Sequence, residues 1–550
     1  MHINKIIITN YKKFEKDIFK FNDDINILVG DNDSGKSTIL EAIEICFNCS
    51  YRGKPLTPDA TTDLFNSNSV HKYFESNKEE NYLPEIKIEI FISGVPEYRG
   101  EHNSLGEDSQ GILIRIKFDD SLSDVYQEFV DCTEEINTIP KEFYKIEWLD
   151  FSGKKVKFMS KKMRCLFVDP ASLHPTHGRN QYISKIVKTT LSKDKQALLN
   201  LNYRQLKQLF NNQPQVQEIN KQLDSDDTIT DKSLKIVADV SSTNGTATGM
   251  QLAVNDINFP LIGRGEQNKI QLKLAIQNKA NNIDVLMVEE PENHLSHSNL
   301  GKLVRYIEEQ RKEKQLFITT HSSFVLNKLS LNKLCLISEE YIQLKKIDKK
   351  IVRKLKRLPG YDTLRIVLSN KVILVEGPSD ELILKKIYLN KHHHLPEENE
   401  IDIIVVRGIG FKNYLEIAKH IKINVHVVKD NDGDFKKNIE SYSSEYKDYD
   451  YIKFYSPENP ALYSLEPVMI DCNSSSEQQL DKYAKTTLST TTYKIYAKNN
   501  NLKEKKAFLI QWYQDKGGAG TKKVDSAMRI FDSDVKIDYP SILNEALCFE

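Results

Sequence analysis

The chain has 550 residues, enough for about three or four domains at roughly 100–200 residues each. Its 77 Lys and Arg almost cancel 78 Asp and Glu, which excludes a polybasic protein, and 28% charged beside 39% hydrophobic residues excludes a disordered one. No apolar run reaches the roughly 18–20 residues of a membrane helix, so no membrane is expected as a partner. The first residues lack the apolar core and cleavage site of a signal peptide. Seven cysteines, odd in number and scattered, do not read as a disulfide scaffold, so a reducing cytoplasm is expected. Cys46 and Cys49 are spaced like half a zinc site, but no second pair follows, and they are read as reduced helix residues.

In chain order, Ile25–Val29 predicts a strand, Gly30–Gly35 a turn, and Ser37–Phe47 a helix striped by Ile39, Ala42, Ile43 and Cys46. Ile86, Ile88, Ile90 and Ile92, then Ile112, Ile114, Ile116 and Phe118, alternate as half-buried antiparallel strands do. Arg179–Ser242, rich in Gln, Lys, Asn, Leu and Asp, predicts helix. A second strand–helix alternation follows, with strands at Ile283–Val288 and Leu316–Ile318 around a helix striped by Leu300, Leu303, Val304 and Ile307. Lys345–Arg357 holds eight Lys or Arg against one Asp, and Pro359-Gly360 then breaks the chain. The basic block suits a phosphate backbone, although a solvated linker helix is the plainer reading. A third alternation has strands at Val372–Val375, Ile403–Val406 and Val425–Val428, which implies a parallel sheet. His392, His393 and His394 read as exposed loop, with no metal assigned.

Gly30-Asp31-Asn32-Asp33-Ser34-Gly35-Lys36-Ser37 fits the phosphate-loop pattern and lies where its mechanism requires, after a strand and opening a helix. Backbone N–H groups of such a loop cradle phosphate oxygens, Lys36 reaches the β- and γ-phosphates, and Ser37 offers a hydroxyl to Mg²⁺. Gly30, Asn32, Ser34, Gly35, Lys36, Ser37 and Thr38 are the candidate ATP contacts. Asp284–Val288 leads into Glu289-Glu290, the Walker B pattern of an apolar strand ending in two carboxylates. Glu289 is the candidate Mg²⁺ ligand and Glu290 the residue that polarises the attacking water.

Further segments resemble ABC-type ATPases. Leu316–Thr320 runs into His321, which resembles their γ-phosphate-sensing histidine. Gly263-Arg264-Gly265-Glu266-Gln267 before a helix resembles their signature motif, which in that family caps nucleotide held by a second subunit. The opening Thr9–Phe14 resembles SMC-like members, which makes Lys12 or Lys13 a nucleotide contact by resemblance, with Lys12 the one taken forward. Two departures point to slow hydrolysis: Glu289 stands where most members have Asp, and Gly-Arg-Gly replaces Ser-Gly-Gly.

Glu376 ends one strand of the third alternation, and Asp430-Asn431-Asp432-Gly433-Asp434 follows another. Strand C-termini of a parallel sheet share an edge, so Glu376 and Asp430 should converge, with Asp432 on the same side if the chain stays extended. Clustered carboxylates of this kind suit Mg²⁺ or Mn²⁺ and metal-assisted phosphodiester cleavage. An EF-hand is rejected because Gly433 precedes the third Asp.

The two strand ends together resemble a Toprim domain, and an ABC-type ATPase followed by Toprim resembles the OLD (overcoming lysogenization defect) family of nucleases, Gabija-type and retron-associated defence nucleases included. The resemblance implies an α/β chain: an ABC/SMC-like P-loop ATPase with a helical insertion, then a Toprim domain. Expected boundaries are 1–178 and 243–345 for the ATPase, 179–242 for an insertion that mediates dimerisation, 346–368 for a basic linker and 369–550 for Toprim. It also implies Glu376, Asp380, Asp430 and Asp432 as metal ligands, with Glu376 alternatively a general base and Lys523 the late catalytic lysine. Glu466 resembles a further acidic family position. The function expected is ATP-regulated, metal-dependent endonucleolytic cleavage, with DNA the favoured substrate, in a homodimer or higher homo-oligomer working in anti-phage defence with or without an accessory protein or retron. The rival expectations are an ATP-gated DNA clamp with an inert Toprim domain and an RNA-cleaving effector.

Overall fold

The computed structural model describes residues 1–51, 54–58, 62–76, 78–132, 138–157, 162–169, 192–223, 253–267, 269–270, 273, 283–293, 295–311, 314–322, 325–326, 329, 331–338, 341–346, 365–406, 410–515 and 519–549. They form two compact units: Met1–Leu28 with Gly35–Val325, and Val29–Ser34 with Leu326–Glu550.

The first unit holds two sheets. One is antiparallel, in the order β2 (Phe14–Lys20), β1 (His2–Tyr11), β4 (Ile86–Ser93), β5 (Ser109–Phe118), with β6 (Tyr144–Asp150) on the far side of β5. Ile86, Ile88, Ile90, Ile112, Ile114 and Ile116 are all buried, so one face of this sheet is a wall of β-branched side chains. The other is parallel, in the order β7 (Cys165–Val168), β8 (Val285–Glu289), β9 (Gln315–Thr319), β3 (Ile25–Val29). Every residue of β3 and β9 is buried, as expected of strands covered on both faces. Helix α1 (Lys36–Asn48) follows β3 and buries Ile39, Ala42, Ile43 and Cys46, the predicted stripe.

Within the expected insertion, α2 (Lys193–Asn211) and α3 (Pro214–Leu223) are described, and the rest lies outside the described residues. Helix α4 (His297–Arg311) buries Leu300, Leu303, Val304 and Ile307.

In the second unit β10 (Leu334–Ile337) and β11 (Tyr341–Gln343) form a hairpin. Of the basic stretch, 347–364 lies outside the described residues. A four-stranded all-parallel sheet then runs β13 (Ile401–Val405), β12 (Lys371–Val375), β14 (Asn424–Val428), β15 (Ile452–Tyr455). Helices α5 (Pro378–His392) and α6 (Phe411–Ile421) are its crossovers. The core beneath it takes Ile373 and Val375 from β12, Ile383 and Ile387 from α5, Met469 from α7 (Leu465–Cys472), and Ala527 and Ile530 from α8 (Ala519–Asp532). The C-terminal helices are thus part of this domain's core. Among the described residues, no helix is long and apolar enough to cross a membrane.

Candidate functional site

The phosphate loop leaves buried β3 at Gly30 and enters α1 at Lys36. A Cβ on Gly30 would stand 2.2 Å from the Ile337 carbonyl oxygen. Gly35 has φ 102°, and its Cβ would meet Phe14 Cζ at 2.4 Å, so only glycine fits both positions. The Ser34 N–H donates to Asp31 O at 3.2 Å and closes the turn. Ser34, Gly35 and Lys36 are buried, Thr38 half-buried, and Asn32 and Ser37 exposed. Such a loop, opening a thirteen-residue helix, fits a nucleotide's phosphates.

Parallel pairing of β8 with β9 sets Glu289 beside Thr319. Ser37 hydrogen-bonds Glu289, whose carboxyl is pushed up to about 7, first by burial and then by Asp169, Glu41 and Glu290. A divalent cation would relieve that crowding, so Ser37 and Glu289 fit the metal of a nucleotide complex. Glu290 turns out of the strand at φ 35°. Its N–H donates to Thr319 O at 3.1 Å, Asn293 Nδ2 donates to its Oε2 at 2.9 Å, and His321 Nε2 lies 3.5 Å from its Oε1. Glu290 and His321 therefore face one another.

Sequence reasoning missed Glu292, which accepts the Thr320 hydroxyl at 2.6 Å and the His321 N–H at 2.8 Å and so fixes the histidine's backbone. A third carboxylate three residues after a Walker B glutamate was the available signal. Lys12, at φ 50°, is ion-paired with Glu41 on α1. The signature segment forms a helix start at Arg264–Gln267 that carries Gly265, and a Cβ on Gly263 would meet nothing within 4 Å. Neighbouring Leu261 is 76% exposed.

The second constellation lies at the C-terminal edge of the four-stranded sheet. Leu374 pairs with Val427, so Glu376 and Lys429, each two residues on, emerge side by side. Lys429 Nζ lies 3.4 Å from Glu376 Oε1 and 3.2 Å from the Asp430 carbonyl oxygen. Asp380, in the first turn of α5, accepts the Gly377 N–H at 2.9 Å. Burial raises its carboxyl to about 7, with Glu466 and Glu376 adding to the effect. Asp430 is raised to about 8 by burial, then by Asp380, Glu376 and Glu466. The influence of Glu376 and Glu466 on both aspartates, and of Asp380 on Asp430, groups the four carboxylates in one cluster.

Lys523, on α8, donates to Glu466 Oε2 at 2.6 Å, and the Ser464 hydroxyl donates to the same oxygen at 2.9 Å. Burial works to lower the Lys523 ammonium, but Glu466, Asp430 and Asp380 more than offset it and the net shift is upward. The cluster and its lysine therefore come from β12, α5, the end of β14, α7 and α8.

Asp432 departs from expectation. The chain does not stay extended past Asp430: Asp432 has φ 50° and is exposed, while Asp430 is half-buried among the other carboxylates. Buried Asn431 causes the turn. Its Nδ2 donates to Pro457 O at 2.7 Å and Asn459 O at 3.1 Å, and its Oδ1 accepts the Gly433 N–H at 2.8 Å. The Asp432 N–H donates to Tyr463 O at 3.2 Å, which ties this loop to the segment that presents Ser464 and Glu466. Asn431 was invisible in the sequence as anything but a loop residue.

The donor set, hard carboxylate oxygens gathered around Asp380 and Asp430, fits Mg²⁺ or Mn²⁺. Among the described residues, however, no three His, Cys, Asp or Glu side chains are drawn close enough together to hold an ion.

A family described as "AAA ATPase domain" matches residues 1–326, and one described as "Overcoming lysogenization defect protein-like, TOPRIM domain" matches 367–432. The Endonuclease GajA of Bacillus cereus (strain VD045) is 23% identical over 477 residues, 80% of this chain and 76% of that protein. The DNA replication and repair protein RecF of Oceanobacillus iheyensis is 40% identical over 45 residues, 8% of this chain and 12% of that protein. An SMC head bound to the C-winged helix domain of ScpA aligns at a TM-score of 0.35 and 14% identity, covering 63% of this chain and all of that one (100%).

Proposed function

Since this chain belongs to the AAA ATPase domain family and carries an OLD-like Toprim domain behind it, it is a nuclease with an ATPase domain, and we propose that it is an ATP-regulated, divalent-metal-dependent endonuclease acting on DNA. The observation that carries this reading is the cluster of Glu376, Asp380, Asp430 and Glu466 with Lys523 bound to one member. Bound Mg²⁺ or Mn²⁺ would activate water and neutralise the leaving oxygen. Glu376, Asp380 and Asp430 would hold it; Asp432, exposed at the rim, would join them only after its loop turns inward. Lys523, kept charged by the carboxylates around it, would stabilise negative charge developing on the scissile phosphate.

In the ATPase domain, Lys36 and the glycine loop would bind phosphates, Ser37 and Glu289 the accompanying Mg²⁺, and Glu290 would orient the attacking water under His321. Gly263 and Gly265, in an open stretch, suit capping of nucleotide bound by a second copy, which supports a homo-oligomer. Lys12 would reach nucleotide only by leaving Glu41. We take the ATPase as 1–178 and 243–345, the insertion between as a dimer contact, 346–368 as linker and 369–550 as Toprim. The resemblance to OLD-family nucleases supports a role in anti-phage defence, with or without an accessory protein or retron.

The test offers the purified protein supercoiled DNA, linear DNA and RNA with Mg²⁺ or Mn²⁺, with and without ATP. Wild type should nick or cut DNA only with metal, and Glu376→Ala and Asp430→Ala should not. Cleavage undiminished in both variants overturns the Toprim assignment, and cleavage of RNA alone replaces the substrate.

A further inference from the structure

Resting on the metal-dependent reading above, the geometry points to Lys429 as a built-in counterion of Glu376 that competes with a divalent cation for that carboxylate. The parallel register brings Lys429 and Glu376 out of adjacent strands together, so their contact follows from the sheet and not from a flexible loop. The ammonium has two anchors, Glu376 Oε1 at 3.4 Å and the Asp430 carbonyl oxygen at 3.2 Å, and it lies 6.0 Å from the centre of the Phe411 ring. Its side chain is only 14% exposed.

Two lysines thus sit on different members of one cluster, Lys429 on Glu376 and Lys523 on Glu466. Each glutamate of the cluster is already paired with a cation of the chain's own. A cation binding between Glu376 and Asp430 brings a second positive centre to the carboxylate that Lys429 pairs with, and the two repel at that range. Lys429 is therefore a positioning residue that lowers metal affinity and leaves the chemistry to others.

The experiment is Mn²⁺ titration followed by electron paramagnetic resonance on the full, nucleotide-free chain, without nucleic acid. Lys429→Met should bind Mn²⁺ roughly three- to thirtyfold more tightly than wild type, and Lys429→Arg should match wild type within about twofold. Lys412→Met, which removes an equal charge paired with Glu445 at 2.7 Å, should leave the affinity unchanged and controls for general electrostatics. Lys429→Gln carries the same expectation as Lys429→Met if the latter does not fold. Unchanged or weaker binding by Lys429→Met or Lys429→Gln overturns the inference, as does equal tightening by Lys429→Arg or Lys412→Met. Asp430→Ala separates the two readings: if it keeps wild-type Mn²⁺ affinity, the metal site itself is overturned. If it binds weakly while the Lys429 variants match wild type, only the role of Lys429 falls.

Discussion

Lys523 and Glu466, 57 residues apart in the chain, meet at 2.6 Å, and the glutamate is buried. The contact joins α8 to α7 at the edge where Asp380 and Asp430 lie, so the lysine belongs to the carboxylate cluster and not to the surface. Removing a charge that stabilises a developing oxyanion typically costs on the order of 10²–10³-fold in rate. Lys523→Ala should slow single-turnover cleavage by about that factor while nucleic-acid affinity changes severalfold at most. Because the two side chains act as one unit, Lys523→Ala/Glu466→Gln should be no slower than the worse single variant by more than a fewfold. Multiplying effects in that cycle would show that they act separately.

The raised carboxyls of Asp380 and Asp430 give metal-free stability a definite dependence on pH. In the folded chain they lie at about 7 and about 8, above the ordinary aspartate value of about 3.9. Between those limits the folded state binds more protons than the unfolded one. Their contribution is therefore complete below about pH 4 and is lost as pH rises through about 7–8. Asp430→Asn, which cannot ionise, should melt at a higher temperature than wild type at pH 8.5 in chelator, and the gap should narrow at pH 5. A gap that widens on acidification would reverse the sign of this coupling. Saturating Mn²⁺ at pH 8.5 should raise the melting temperature of wild type far more than that of the variant.

Glu290 meets His321 at 3.5 Å while Ser37 hydrogen-bonds Glu289. Glu290→Gln keeps the shape and removes the charge, so ATP binding should stay within a fewfold and hydrolysis should fall roughly 10²–10⁴-fold. Equilibrium binding and phosphate release measured side by side check this. Equal losses in both would place Glu290 in binding instead of hydrolysis.

Glu292 should matter for stability as well as turnover. Glu292→Ala strips the acceptor from the Thr320 hydroxyl and the His321 N–H, at a cost of roughly 1–3 kcal/mol by denaturant unfolding of the ATPase transition. His321→Ala keeps the carboxylate in place and should cost much less stability. Comparable destabilisation by the two would show that the ring, and not its backbone anchor, is the structural element.

Gly35→Ala places a methyl 2.4 Å from Phe14 Cζ at a backbone φ of 102°. Nucleotide binding should be lost. Gly263→Ala meets nothing within 4 Å in its own chain and should leave binding at that chain's phosphate loop intact, any loss falling on capping by a second copy. Fluorescent-nucleotide titration of the pair checks both.

The sequence by itself determined the order of strands and helices around each motif. Strand–turn–helix at Ile25–Phe47, two carboxylates after a fully apolar strand, and Glu376 and Asp430 at strand ends are local patterns. Local chemistry dictates them: apolar runs bury, glycines turn, and a parallel sheet delivers its C-terminal residues to one edge. The convergence of Glu376 with Asp430 was legible for that reason.

What only the tertiary structure decided lies across loops. Alternation predicts Asp432 beside Asp430, but buried Asn431 bends the chain, because its side chain has more hydrogen-bond partners in the 457–459 segment than an extended strand would offer. Only a family resemblance at Glu466 sets it apart from other acids on helices, and nothing local distinguishes Lys429 from other lysines beside an aspartate. Their meaning comes from register and from a core that folds α7 and α8 back under the sheet. The balance of 77 cations and 78 anions shows no site at all. Folding concentrates a few of each sign at one sheet edge, where burial raises the aspartates and two lysines hold the glutamates.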